Sequence, residues 1–94
     1  MPIKKDDKFD QLFDAILKLE NIEECYKFFD DLCTMSEINE MKDRFEVARL
    51  LIDGHTYVQI EQETSMSSAT ISRVNRCIQY GSGGYKLALD HLKK

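Results

Sequence analysis

The sequence predicts an all-α chain of about six helices joined by short connections. Apolar residues recur at i, i+3 and i+4 in successive stretches. Cap residues stand before or after those stretches. No run alternates apolar and polar residues in the manner of a strand.

Residues 1–8 read as a flexible N-terminal arm, and 9–94 as a single helical domain. Phe9, Leu12, Phe13, Ile16, Leu17 and Leu19 form the first apolar stripe. Asn21 breaks it and suits the cap of a second helix carrying Ile22, Cys25, Phe28, Phe29 and Leu32. Thr34-Met35-Ser36-Glu37 is a capping box, hydroxyl first and carboxylate three residues on. It opens a longer helix expected to bury Ile38, Met41, Phe45, Ala48, Leu51 and Ile52 on one face, with Gly54 as its stop. Thr56 to Gln59 repeats the box pattern and starts a short helix that runs to about Thr64. The polar turn Ser65-Met66-Ser67 leads into a helix from about Ser68 to Tyr80. Gly81-Ser82-Gly83-Gly84 is a flexible break, and Tyr85, Leu87, Ala88, Leu89 and Leu92 mark a last short helix.

Composition narrows the function classes. The 94 residues suit one domain, with 43% hydrophobic and 32% charged residues, a globular balance. A monomer of this size buries roughly 60–65% of its unfolded surface, so pairing with a second copy is favoured. No apolar run approaches the roughly 20 residues of a bilayer span. The first residues lack the apolar core of a signal peptide, so a cytoplasmic protein is expected and no membrane partner. Cys25, Cys33 and Cys77 include no Cys-x-x-Cys pair, so no metal site is expected. Cys25 and Cys33 read as small, reduced core residues. His55 and His91 have no Ser or Cys at a nucleophile-like spacing, and no glycine-rich phosphate loop precedes a helix in the required context. No catalytic residue is assigned and an enzyme is not expected.

The informative stretch is 57–80, a helix-turn-helix unit. Ile60 and Thr64 supply the inner face of its first helix, Met66 plugs the turn, and Ile71 and Val74 supply the inner face of the second. Ser67, Ser68, Ala69, Thr70, Ser72 and Arg73 cluster at the N-terminal end of the second helix. Small side chains let a helix end approach base edges, hydroxyls donate and accept there, and alanine can meet a thymine methyl. Backbone N–H groups at that end favour phosphate, and Arg73 and Arg76 are natural contacts for phosphate or guanine. Gln59, at the start of the preceding helix, joins this DNA-binding set. The same Ser/Thr cluster also reads as capping and surface, and the capped helix before it favours DNA. The net charge of −4 runs against a nucleic-acid binder, and residues 54–80 sum to zero with His55 neutral. Two copies on two half-sites would multiply the few contacts available.

Ser68-Ala69-Thr70-Ile71-Ser72-Arg73 resembles the Ala-Thr-Ile-Thr-Arg signature in the recognition helix of the Trp repressor. Leu32 to Glu37 resembles the capped start of that family's central helix, and Leu50-Leu51-Ile52-Asp53-Gly54 its Leu-Leu-x-x-Gly end. The chain as a whole is similar to the YerC/YecD-type branch of Trp repressor-like proteins. The resemblance implies an intertwined homodimer that binds double-stranded DNA at a palindromic operator and represses transcription. It also implies a ligand pocket to which Thr34, Arg44, Thr70 and Arg73 correspond. A small-molecule corepressor is thereby left open. Tryptophan is disfavoured, because Val74 and Cys77 stand where the family's pocket has a glycine and a serine. Read from the residues alone, Arg44 can equally pair with Glu40 one turn back. The alternative function is a helical, dimeric protein-interaction module whose helix-turn-helix unit docks on another protein. The acidic balance and the uncharged reading unit motivate it.

Overall fold

The computed structural model describes residues 3–93; Met1 and Pro2 of the expected arm, and Lys94 at the end of the expected domain, lie outside them. Six helices follow in chain order: α1 Asp7–Leu17, α2 Ile22–Leu32, α3 Met35–Ile52, α4 Tyr57–Thr64, α5 Ser68–Tyr80 and α6 Gly84–Leu92. No strand occurs among the described residues. The chain divides into two compact units, Met1–Ile38 and Asn39–Lys94.

In the first unit the helices start where local chemistry satisfies their free N–H groups. The Asp6 carboxylate accepts the Phe9 N–H at 2.7 Å, so α1 begins at Asp7 and takes in two residues expected in the arm. It ends at Leu17, which leaves Leu19 beyond the helix. Asn21 caps α2 by accepting the Glu24 N–H at 2.9 Å. At the start of α3, Thr34 Oγ1 accepts the Glu37 N–H at 3.1 Å, and Glu37 Oε1 accepts the Thr34 N–H at 2.8 Å. The Thr34 backbone N–H, and after it the Thr34 side chain, hold the Glu37 carboxyl below the usual glutamate range.

Neither α1 nor α2 buries a residue within the chain. Phe9 and Phe13 stack with ring centroids 5.8 Å apart, and both remain exposed. Leu17, Ile22, Tyr26 and Leu32 are exposed too. Cys25 and Cys33 are half-buried, not core residues as expected, because the faces that carry them lack an apolar cover.

The second unit holds the core. Val47, Ala48 and Leu50 of α3 cluster with Ile60 of α4 and with Ile71 and Val74 of α5. Leu51, Met66, Ile78 and Tyr85 pack against the cluster. Full burial of an aliphatic side chain contributes about 1.5–3 kcal/mol, so these residues fix the helices they come from. The buried face of α3 differs from the expected one. Val47 and Leu50 are inside, Met41 is exposed, and Leu51 and Ile52 are half-buried. α3 carries apolar residues around more than one face, and the face covered is the one that α4 and α5 fold onto.

α3 ends in a Schellman motif. The His55 N–H reaches the Leu50 carbonyl at 3.0 Å and the Gly54 N–H reaches the Leu51 carbonyl at 3.0 Å. Gly54 takes φ +97°, which a residue with a side chain rarely adopts. His55 Nδ1 lies 3.1 Å from the same Leu50 oxygen, so the ring also covers the helix end.

Candidate nucleic-acid interface

The α4–turn–α5 segment is built by local hydrogen bonds around a buried inner face. Thr56 Oγ1 accepts the Gln59 N–H at 3.2 Å, and Gln59 Oε1 accepts the Thr56 N–H at 2.8 Å. Ser65 ends α4 in the left-handed region, φ 59°, with its N–H on the Glu61 carbonyl at 3.1 Å. Thr64 Oγ1 donates to the Ile60 carbonyl at 2.7 Å and accepts the Met66 N–H at 3.2 Å. One hydroxyl thus closes α4 and starts the turn, and Met66 drops onto the core. Ser67 caps α5 by accepting the Thr70 N–H at 3.2 Å. Ile60 and Ile71 are fully buried and Val74 is 1% exposed, as the spacing predicts for an inner face.

The opposite face of α5 is open. Ser67, Ser68, Ala69, Arg73 and Arg76 are exposed, as is Gln59 on α4. Thr70 and Ser72 are half-buried, so they lie at the flank. The Ser67 hydroxyl donates to Thr70 Oγ1 at 3.2 Å, which ties up both groups at the helix start. The capping role weighed for this cluster therefore applies to Ser67 and Thr70, while Ser68 and Ala69 stand outside it. In Gln59 the carbonyl is committed to the capping box, leaving its amide N–H groups to act as donors.

Charge is unevenly shared. Residues 1–38 carry five Lys/Arg against ten Asp/Glu, and residues 39–94 carry eight against seven. The acidic excess of the chain therefore lies outside the unit that contains α4 and α5. Within that unit the arginines of α3 are engaged. Arg44 lies 4.0 Å from Glu40. Arg49 forks onto Glu46 at 2.8 and 2.9 Å and approaches Asp53 at 3.5 Å. The fork lowers the Glu46 pKa and raises that of Arg49. Arg73 and Arg76, by contrast, form no ion pair among the described residues. α5 contains no acidic residue at all, and the acids of α4 include Glu63, 4.0 Å from His55 Nε2.

The residues matched to a ligand pocket are dispersed in role. Thr34 belongs to the first unit, and its hydroxyl caps α3. Arg44 is half-buried beside Glu40, Thr70 is tied to Ser67, and Arg73 is exposed. Cys77 is exposed. The residues that sequence reasoning passed over are Val47 and Leu50, which back α5, and Arg49. Glu46 and Asp53 stand three and four residues from Arg49, and that spacing was the available signal for its engagement. Among the described residues no three His, Cys, Asp or Glu side chains gather as a metal site, and no helix is long and apolar enough to cross a membrane.

A capped helix, a left-handed turn and a second helix with a buried inner face and an open, cationic outer face define a helix-turn-helix protein of the DNA-binding regulator class. The family model for Trp repressor protein matches residues 7–93, and the chain belongs to the Trp repressor family, which is a regulator fold and not an enzyme family. It is similar to the uncharacterized protein YerC of Bacillus subtilis (strain 168), 56% identical over 87 residues that span 93% of this chain and 84% of that one. A crystal structure from Staphylococcus aureus, described as a candidate Trp repressor, matches with a TM-score of 0.89 and 52% identity over 95% of this chain and 89% of its own. A TrpR-like protein from Eubacterium eligens ATCC 27750 matches with a TM-score of 0.89 and 46% identity, over 95% and 92% of the two chains.

Proposed function

We propose that this chain is a sequence-specific transcriptional repressor that acts in the cytoplasm as a homodimer on a palindromic operator. The single observation that carries the DNA reading is the contrast between the engaged arginines of α3 and Arg73 and Arg76 of α5, exposed and unpaired among the described residues. Charges left unpaired beside small side chains suit a phosphate or a guanine edge. Ser68, Ala69 and Ser72 face bases, Arg73 and Arg76 reach guanine or phosphate, and Gln59 donates from α4. Ser67 and Thr70 contribute chiefly by shaping the helix start, whose backbone N–H groups meet phosphate.

Dimerisation is supported by the open apolar faces of α1 and α2, neither of which buries a residue within the chain. A patch of that kind marks an interaction surface. In the dimer two α5 ends about one DNA turn apart, roughly 34 Å, read two half-sites. Repression follows from occupying a promoter that polymerase must reach.

The test is fluorescence anisotropy with a duplex selected from a random library by the full chain. Saturable binding that weakens steeply with salt is expected. Binding that is absent, or that ignores salt, sinks the DNA reading. A stable complex with another protein that needs Arg73 and forms without DNA would instead favour the interaction-module alternative.

A further inference from the structure

We infer that α5 is held in its reading position by the chain's own Val74, so that DNA binding needs no indole-type corepressor. The inference rests on the proposed DNA role of α5 and concerns how that role is regulated.

The Trp repressor family implies tryptophan between the central helix and the helix-turn-helix unit. The residues present here do not fit it. Val74 is 1% exposed and sits in one cluster with Val47, Ala48 and Leu50 of α3, Ile60 of α4 and Ile71 of α5. A branched side chain of α5 is thus buried in the cluster that α3, α4 and α5 share. Protein cores pack at the density of organic crystals, so a bicyclic ring could enter only by displacing these side chains. No buried side-chain nitrogen or oxygen lacks a partner among the described residues, so no buried polar group awaits an indole N–H or a carboxylate. Arg44 has Glu40 as its neighbour, and Cys77 lies at the surface.

The consequence is thermodynamic. A ligand shifts a conformational equilibrium only by binding one state better than the other. Where a covalently attached side chain already fills the cluster, the reading state is populated without help, and effector control through it is lost.

The experiment uses full-length protein dialysed free of amino acids, with L-tryptophan and indole as probes. Thermal melting is followed with and without each probe, and anisotropy with the selected duplex is measured in parallel. A ligand present at about a hundred times its Kd raises the melting temperature of a chain this size by roughly 10 °C. For the wild type no saturable rise is expected, and duplex affinity should change by less than about twofold, far short of the roughly 5–150-fold range of typical effector coupling. A saturable rise, or a tenfold gain in affinity with L-tryptophan, overturns the inference. Val74→Gly should melt lower and bind the duplex more weakly, with indole restoring part of both by filling the cavity. If that variant does not fold, Val74→Ala gives the same test with a smaller cavity. A Val74 variant that binds the duplex as tightly as wild type overturns the role of the side chain. Absence of duplex binding under every condition refutes the proposed function, and the melting series still decides the filled site on its own.

Discussion

The Ser67 hydroxyl both accepts the Thr70 backbone N–H at 3.2 Å and donates to the Thr70 side chain at 3.2 Å. The first turn of α5 is therefore closed on itself before any partner arrives. Removing an N-cap hydroxyl typically costs about 0.5–2 kcal/mol. Ser67→Ala should lower stability by about 1 kcal/mol in urea denaturation with an unchanged m-value. Unchanged stability would show that the cap does not hold α5.

Two left-handed residues bracket α4 and should respond in opposite directions. Gly54 sits at φ +97°, and a β-carbon added there would meet nothing within 4 Å, so Gly54→Ala encounters backbone strain alone. A loss of about 1 kcal/mol is expected. Ser65 bears the same kind of strain at φ 59°. Ser65→Gly should be neutral to stabilising, by up to about 1 kcal/mol, since glycine accepts this conformation while loosening the unfolded chain. Thermal melts of both variants check the pair.

Arg73 has no ionic partner among the described residues and is exposed, so its loss should leave the fold intact. Arg73→Ala should weaken duplex binding by about 1–3 kcal/mol if it reads a base, or lower the salt slope by about one if it meets phosphate. Arg49→Ala is the control. Its guanidinium is spent on Glu46 and Asp53, so duplex affinity should stay near wild type. Equal losses in the two variants would mean that unpaired charge is not what selects the contact.

Acid should release the caps and forks of α3. The carboxyls of Glu37 and Glu46 are held below their ordinary value, Glu37 by its hydrogen bonds with Thr34 and Glu46 by the Arg49 fork. A folded-state pKa below the unfolded one stabilises above the unfolded value, about 4.3 for glutamate, and the gain is lost as pH falls through the folded value. Stability should therefore drop below about pH 4.3. Glu37→Gln keeps an oxygen acceptor for the Thr34 N–H but no longer titrates, so its pH profile should be flatter there. An identical acid limb would assign the loss to other groups.

The open faces of α1 and α2 predict association. Sedimentation should give twice the 11.0 kDa chain mass. Phe13→Lys, on an exposed aromatic, should shift the chain toward monomer and weaken duplex binding with it. A monomeric wild type that binds a palindrome as tightly as a selected half-site would refute the dimeric mode.

What the sequence determined by itself was local. The caps at Asn21, Thr34 and Thr56, the stop at Gly54, and the inner face of Ile60, Ile71 and Val74 all follow from spacings of three or four residues, and such bonds form within one helix turn. Tertiary structure alone decided two other matters. It selected Val47 and Leu50 over Met41 as the covered face of α3, because α4 and α5 fold back onto that side. It left Cys25, Cys33 and the aromatic stripes of α1 and α2 without a full cover. The pairing of Arg44 with Glu40 and of Arg49 with Glu46 and Asp53 belongs to the local part, at spacings of three and four residues, and α5 has no acid of its own to pair with Arg73 and Arg76; a net charge summed along the chain cannot express that difference. Periodicity records which residues can be buried on a helix. Which of them are buried depends on the neighbours that the rest of the chain brings.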